Sequence, residues 1–224
     1  MLKNNKYYDE EYFLKRDVLP ISFLEILSLL LKELSVRKIL DVGCGTGILV
    51  KYLEKKGYQS VGCDSSDIAV RMSGQVKGKA TKLPFEDAAF DMVTAISLIE
   101  HLSQEEGETF LEEARRVLRP AGFLFLVTPN LFSLNKPLKG RDWFAYTDPT
   151  HINLFTPFSM KRILRKHGFH DERFRFKVDP KTPADWFFAQ PHLNQFFQYL
   201  ANLLNFFSPL TYFRESFWVL CQKR

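Results

Sequence analysis

The chain has 224 residues, of which 46% are hydrophobic and 25% are charged. This composition excludes a disordered or fibrous chain, and the length suffices for one α/β domain with a buried core. The net charge of +5 is spread along the sequence without a basic arm, so we expect no nucleic-acid partner. The three cysteines show no paired spacing, and the apolar runs are interrupted by amides or prolines. We therefore expect a cytoplasmic protein without a transmembrane span.

Hydrophobic periodicity in the first half of the chain predicts alternating helices and strands. Residues 1–34 are expected to form a helical cover that contains one amphipathic helix, over residues 18–34. Strands are predicted over residues 38–42, 59–63, 90–97 and 123–128, and helices over residues 48–56, 66–73 and 103–118. Ser103 and Glu106 form a capping box at the start of the last helix. Strands separated by helices of this length indicate a doubly wound parallel sheet.

The alternation ends after residue 128. A long aromatic loop leads to a helix that Thr156 and Pro157 begin and Gly168 ends. Strands over residues 174–178 and 217–222 are expected to pair at one edge of the sheet. Between them, residues 186–213 contain no Lys, Arg, Asp or Glu and many aromatic residues.

This uncharged stretch has apolar residues at helical spacing, which predicts an aromatic helical insertion over residues 180–214. Its role is open between a lid, a homodimer interface formed by residues 186–213, and a helix on a membrane surface. The absence of Lys and Arg disfavours the membrane surface, because such helices usually carry a basic polar face.

The loop DVGCGTG, residues 41–47, follows the first predicted strand and carries glycines at alternate positions. A dinucleotide fingerprint requires GxGxxG, and Ile48 stands where its third glycine would be. A phosphate-binding P-loop also fails, because no Lys-Ser or Lys-Thr pair follows the glycines. Asp41 in the loop and Asp64 at the end of the next strand favour a cationic nucleoside that carries an amino group. S-adenosylmethionine fits this description.

Four motifs in register extend this interpretation: ILDVGCGTG, VGCD, KLPFEDAAFDMV and RVLRPAGFLFLVTPN. Together they resemble the class I S-adenosylmethionine-dependent methyltransferases, and most closely the small-molecule branch that includes the ubiquinone-biosynthesis type. The resemblance covers residues 38–130 and continues weakly to residue 178. It implies a Rossmann-like, seven-stranded, mostly parallel sheet with an antiparallel C-terminal edge strand. It also implies that S-adenosylmethionine is converted to S-adenosylhomocysteine.

The resemblance implies cofactor contacts from the loops that follow the strands. On the methionine side these are Asp41, Gly43, Cys44, Gly45 and Gly47; Asp64 and Ser65 hold the ribose; Ala80 and Thr81 border the adenine; and Ile96 and Ser97 lie under the sulfonium. One position departs from the pattern. Lys79 stands where such enzymes usually carry an Asp that bonds the adenine amine, so we expect weaker cofactor binding.

Polar residues for the methyl acceptor are expected after the fourth and fifth strands, since ligands bind beyond the carboxyl ends of parallel strands. Glu100 and His101 follow the fourth strand, and the acceptor-side loop and helix, residues 131–170, carry His151. A neutral His is the usual general base near pH 7, which makes His151 or His101 the candidate catalytic residue. The alternative role for Glu100 and His101 is helix capping or packing, and the alternative for His151 is a structural role that fixes the loop. Further candidate substrate-binding residues are Glu100, Trp143, Tyr146 and Asn153.

The sequence therefore predicts methyl transfer to a hydroxyl or amine of a sugar, quinone or lipid-like metabolite. Glu100 and His101 alone are too few ligands to predict a metal site. Two alternatives come from other classes of protein. One is a nicotinamide-dependent oxidoreductase, which Ile48 disfavours, and the other is a cofactor-binding protein without turnover, which Lys79 makes conceivable.

Overall fold

The computed structural model describes residues 8–16, 18–133, 135–177 and 215–224. Helices α1 to α8 span Glu10–Arg16, Ile21–Glu33, Ile48–Lys55, Asp67–Ser73, Gln104–Val117, Asn135–Lys139, Phe144–Thr147 and Pro157–Lys166. Strands β1 to β7 span Lys38–Val42, Gln59–Asp64, Val76–Lys77, Phe90–Ile96, Leu118–Pro129, Phe169–Lys177 and Ser216–Lys223. The predicted aromatic insertion at residues 180–214, with its dimer segment, lies outside the described residues.

The strands form one seven-stranded sheet in the order β3-β2-β1-β4-β5-β7-β6. Strand β1 pairs in parallel with β2 and β4, and β4 pairs in parallel with β5. Strand β7 runs antiparallel to both β5 and β6. The mostly parallel, doubly wound fold with an antiparallel C-terminal strand is confirmed. That strand lies one position in from the edge, and β6 forms the edge itself.

The helix ends follow the capping residues that the sequence predicts. Helices α5 and α8 begin with full capping boxes, in which Ser103 pairs with Glu106 and Thr156 pairs with Ser159. Hydrophobic periodicity does not reveal α1, α6, α7 or β3, because each has only two to seven residues. Such short elements complete too few periods to give a pattern.

Both faces of the sheet are covered, because the side chains of each strand alternate between two cores. Leu40 of β1 and Val93 of β4 pack against α5 and α8 on one face. Ile39 and Met92, their neighbours in sequence, pack against α2 and α3 on the other face. Strands β1, β2, β4 and β5 run in the same direction, so their carboxyl ends lie at one end of the sheet. The loops that follow these strands meet there.

Candidate active site

A cavity of about 1020 Å³ lies at the carboxyl ends of the parallel strands. It is lined by the loops that follow β1, β2 and β4 and is covered by the N-terminal residues. The predicted site residues that line it are Gly43, Gly45, Asp64, Ser65, Ala80, Thr81, Ile96, Ser97 and His101. The predicted site residues that lie outside its lining are Asp41, Cys44, Gly47, Glu100, Trp143, Tyr146, His151 and Asn153.

The glycine loop brings bare backbone to the cavity wall. Gly43, Gly45 and Gly47 all have positive φ angles, of 73°, 51° and 74°, which L side chains rarely adopt. A Cβ atom at Gly43 would lie 2.9 Å from Cδ1 of Leu98, which itself lines the cavity. Position 43 therefore requires glycine both for the left-handed turn and for the close approach of the Leu98 side chain. Gly47 ends the loop as the N-cap of α3.

Asp64 is held rigidly at the end of β2. Its Oδ2 accepts a hydrogen bond from the Gly45 N–H at 3.0 Å, and its Oδ1 accepts one from the Ser66 N–H at 2.8 Å. These two bonds fix the orientation of the Asp64 carboxylate in the cavity wall. This geometry fits a ribose next to the glycine loop.

Asp41 and Cys44 support the loop from below. The Asp41 carboxylate is 4% exposed, and its Oδ1 accepts a hydrogen bond from the Thr94 hydroxyl at 2.7 Å. The Cys44 side chain packs against β2, because a Cβ atom at Gly62 would lie 2.6 Å from its Sγ. The direct cofactor contacts of these two residues remain predictions.

Lys79 lines the cavity beside Ala80 and Thr81, on the side where the resemblance implies adenine. On the opposite wall, Ser97 has a positive φ of 51° and donates its N–H to the carbonyl of Val127 at 2.9 Å. A non-glycine residue in this conformation turns the chain sharply away from β4, so that Leu98 and His101 face the cavity.

Three aromatic residues cover the cavity, of which Tyr8 and Tyr12 belong to the N-terminal cover that the sequence predicts, whereas Phe13 was not singled out. Tyr8, Tyr12 and Phe13 line it from the N-terminal side, and the Tyr8 hydroxyl lies 3.3 Å from Nδ1 of His101. Burial raises the pKa of Tyr8, and the carboxylates of Asp148, Asp64 and Glu100 raise it further. The sequence signal for Phe13 was its place next to Tyr12 in α1, a helix that completes too few turns to give a hydrophobic pattern.

Glu100 precedes His101 in the turn after β4, and its side chain is buried. Its side chain is 0% exposed, and its Oε2 accepts a hydrogen bond from Thr128 at 3.1 Å. Burial raises the pKa of Glu100 to about 8, against hydrogen bonds from its own backbone N–H, from Thr128 and from Ser97, all of which lower it. Its backbone carbonyl accepts the N–H groups of Ile152 and Asn153, at 3.0 and 3.1 Å. The acceptor-side loop is thereby attached to the end of β4.

This attachment brings the two candidate bases together. The rings of His101 and His151 lie 4.7 Å apart between centroids. The side chain of His151 is 7% exposed, and its Nδ1 lies 2.8 Å from the carbonyl of Ala145. Since a carbonyl only accepts, Nδ1 of His151 carries the proton. His101 lines the cavity, whereas His151 lies behind it.

The other three predicted substrate-binding residues, Trp143, Tyr146 and Asn153, do not line the cavity. Trp143 is fully buried and packs against Tyr146, whose side chain is 46% exposed. Asn153 points toward Gly107 of α5. The loop instead contributes Phe144, Thr150 and Ile152 to the cavity wall. The substrate-binding roles of Trp143, Tyr146 and Asn153 remain predictions.

The described residues also contain a candidate cation site. One side-chain donor atom each from Glu100, His101 and His151 lies within 4.8 Å of the others. The second carboxylate oxygen of Glu100, Oε1, is buried and has no hydrogen-bond partner in the described part of the chain. Two histidines and one carboxylate are suitable ligands for a divalent cation. The sequence suggested only two of these ligands, because the fold brings the third from 50 residues away.

The sheet order is that of the class I methyltransferase fold, which a solved S-adenosylmethionine-dependent methyltransferase shares. A family described as "Methyltransferase domain" matches residues 12–173, and the chain belongs to this family. The chain is 33% identical over 166 residues to an uncharacterized protein of Methanocaldococcus jannaschii, covering 70% of each chain. It is 28% identical over 179 residues to a ubiquinone biosynthesis O-methyltransferase of Leptothrix cholodnii, covering 70% of this chain and 74% of that protein.

Solved structures show the same fold. A SAM-dependent methyltransferase of Archaeoglobus fulgidus matches with a TM-score of 0.64 and 20% identity, covering 96% of this chain and 100% of that one. Phosphoethanolamine N-methyltransferase 2 of Haemonchus contortus, solved with S-adenosyl-L-methionine, matches with a TM-score of 0.62 and 15% identity. The match covers 98% of this chain and 58% of that one.

The protein is thus a methyltransferase whose cofactor is S-adenosylmethionine, as the sequence predicted, and the oxidoreductase alternative is wrong. The cavity fits this cofactor, since it combines a bare glycine loop with the oriented carboxylate of Asp64. Across the described residues, no helix has both the length and the apolar character needed to cross a membrane.

Proposed function

We propose that the protein methylates a hydroxyl group of an apolar small molecule, and that His101 removes the hydroxyl proton. The observation that carries this proposal is His101 in the cavity wall, held by a polar network at the end of β4. S-adenosylmethionine supplies an activated methyl group to such an acceptor. The chain itself then has to orient the hydroxyl and accept its proton.

The acceptor body is proposed to be aromatic or lipid-like, because the cavity wall away from the glycine loop is apolar. It is formed by Val18, Leu19, Pro20, Phe23, Val127 and Trp218. Ser216 lies beside these residues, and the polar residues Ser103, Glu105 and Glu106 line the cavity next to Leu102. A sugar would leave its hydroxyl groups without partners against this wall, which costs free energy for each buried polar group. The likeness to the ubiquinone biosynthesis O-methyltransferase supports an apolar acceptor.

Within this proposal the residues divide by position. Asp64 and the glycine loop hold the nucleoside, while Phe144, Ile152 and Leu102 enclose the acceptor. Tyr8, Tyr12 and Phe13 cover both and exclude water. His151 supports the wall from behind, so we assign the base to His101, one of the two histidines that the sequence suggested.

The experiment is an acceptor screen that measures S-adenosylhomocysteine release from alkylated phenols, sugars and amines. We expect turnover with the phenols, and a loss of about 100-fold in kcat for His101→Gln, which is within the usual range for a general base. His167→Gln is the matched control, since His167 lies at the C-cap of α8 and bonds the Ile163 carbonyl. Turnover of amines with inert phenols, or full activity of His101→Gln, would show that the proposal is wrong.

The carboxylate and histidine set supports a second candidate, in which a divalent cation held by Glu100, His101 and His151 orients the acceptor oxygen. The unpartnered Glu100 Oε1 is the observation in its favour. Dialysis against EDTA followed by Mg²⁺ or Mn²⁺ separates the two candidates. Loss and recovery of turnover supports the cation, whereas unchanged turnover leaves His101 acting alone.

A further inference from the structure

The polar network behind His101 contains a carboxylate that neither the glycine loop nor the cavity uses. Asp148 is 4% exposed and lies in the acceptor-side loop. Its Oδ1 accepts two hydrogen bonds from Thr150, one from the backbone N–H at 2.9 Å and one from the hydroxyl at 2.5 Å. Both groups are buried, so these bonds are shielded from water and the loop is held in one conformation.

The Thr150 hydroxyl also lies 2.9 Å from Nδ1 of His101. A hydroxyl has a single proton, and a carboxylate can only accept. The Thr150 proton is therefore used by Asp148, and the hydroxyl oxygen must accept from His101. This direction requires that Nδ1 of His101 carries a proton.

A second contact gives the same direction independently. The Thr150 backbone carbonyl lies 3.3 Å from the same Nδ1. A carbonyl oxygen is an acceptor only, so an unprotonated Nδ1 would face lone pairs from both oxygens of Thr150. The Tyr8 hydroxyl, 3.3 Å from the same nitrogen, can donate or accept and so does not set the direction. The neutral ring therefore carries its lone pair on Nε2, which under the proposed function is the nitrogen that accepts the hydroxyl proton.

We propose that Thr150 and Asp148 are positioning residues for the methyl-transfer reaction, because they hold His101 in the tautomer with the proton on Nδ1. This inference rests on the proposed function only for the use of Nε2. The tautomer itself is a property of the protein without an acceptor. A base whose lone pair is on the wrong nitrogen cannot accept the hydroxyl proton without first exchanging protons with solvent.

The test compares Thr150→Val, which removes the hydroxyl and keeps the shape, with Thr150→Ser, which keeps the hydroxyl. We expect Thr150→Val to lower kcat by about 10-fold to 100-fold, with the dissociation constant for S-adenosylmethionine within about twofold of wild type. Thr150→Ser should retain activity within about threefold, because its hydroxyl can still accept from Nδ1 and donate to Asp148. A purely steric role would give the opposite order, because Ser loses the methyl group that Val keeps.

Nitrogen NMR of the histidine rings gives a readout that does not depend on turnover. His101→Gln identifies the His101 signals, and a neutral wild-type ring should show its proton on Nδ1. In Thr150→Val we expect a measurable population with the proton on Nε2. A wild-type ring protonated on Nε2 would overturn the inference. An unchanged tautomer in Thr150→Val would overturn the role of the Thr150 hydroxyl and of Asp148, and would assign the tautomer to the backbone carbonyl that this variant keeps.

These measurements separate the inference from the proposed function. If the NMR result holds but His101→Gln remains active, the positioning is real and the base is wrong. If Thr150→Val fails to fold, the tautomer of the wild-type ring still decides the inference.

Discussion

The two halves of the cavity are held by different kinds of interaction. On the cofactor side, backbone geometry makes the site, through left-handed glycines and backbone N–H groups that orient Asp64. On the acceptor side, buried polar side chains make it, through Glu100, Thr150 and Asp148. Backbone geometry tolerates changes in neighbouring side chains, whereas a buried polar network depends on every member. The cofactor half is therefore readable from a short motif, and the acceptor half is not.

Because the acceptor half contains the buried Glu100 carboxyl, we expect the free energy of unfolding to depend strongly on pH. Burial raises the pKa of Glu100 to about 8, so the folded state holds this proton more tightly than the unfolded state. The contribution to stability is present at low pH and is lost as the pH rises toward 8. We expect Glu100→Gln to stabilise the protein relative to wild type by about 2 kcal/mol or more at pH 8.5, and by much less at pH 5.5. Urea unfolding in the presence of a chelator measures this difference.

The control is Glu86→Gln, which makes the same chemical change at an exposed position. It should alter the unfolding free energy equally at both pH values. An equal effect of Glu100→Gln at both pH values would contradict the buried, protonated carboxyl.

Two glycines with the same φ angle of 73°, Gly43 and Gly74, allow a test of whether the glycine loop binds the cofactor. Alanine at either position adopts a left-handed conformation at a cost of about 1–2 kcal/mol. Only at Gly43 does the new Cβ meet a neighbour, Leu98, since nothing lies within 4 Å at Gly74. We expect Gly43→Ala to weaken S-adenosylmethionine binding by about 10-fold or more, and Gly74→Ala to leave it unchanged, as measured by calorimetry. Equal losses would mean that backbone strain alone accounts for the effect.

Lys79 tests whether a side chain limits the cofactor half. Lys79→Asp places a carboxylate beside Ala80 and Thr81, the residues predicted to border the adenine. It also removes a positive side chain that repels the positively charged cofactor. We expect S-adenosylmethionine to bind about fivefold more tightly, the size of one added hydrogen bond. Lys82→Asp makes the same charge change outside the cavity lining and should have a smaller effect. Tighter binding in both variants to the same extent would indicate long-range charge rather than a local contact.

The smallest expected effect separates neighbouring aromatic residues in the acceptor-side loop. Phe144 lines the cavity, while Tyr146 lies outside its lining and is 46% exposed. We expect Phe144→Ala to raise the KM for an apolar acceptor about threefold, because contact area is lost. Tyr146→Ala should leave that KM unchanged. A larger effect at Tyr146 would support the sequence-based assignment of this residue to the acceptor.

Much of the fold follows from the sequence, because its elements are specified locally. The capping boxes at Ser103 and Thr156 and the period of the strands depend on residues a few positions apart. The short elements α1, α6, α7 and β3 escaped prediction for the same reason, since they have too few residues for a pattern. The position of β7 between β5 and β6 depends on long-range pairing that no local pattern records.

By itself, the sequence determined the class of fold and the tight turn of the glycine loop after β1, since the left-handed backbone there requires glycine at particular spacings. Only the tertiary structure decided which histidine lines the cavity. His101 and His151 are 50 positions apart, and the bonds from Ile152 and Asn153 to the Glu100 carbonyl place one ring behind the other. The same packing brings Asp148 and Thr150 to His101, because a buried network forms only when distant segments exclude water together.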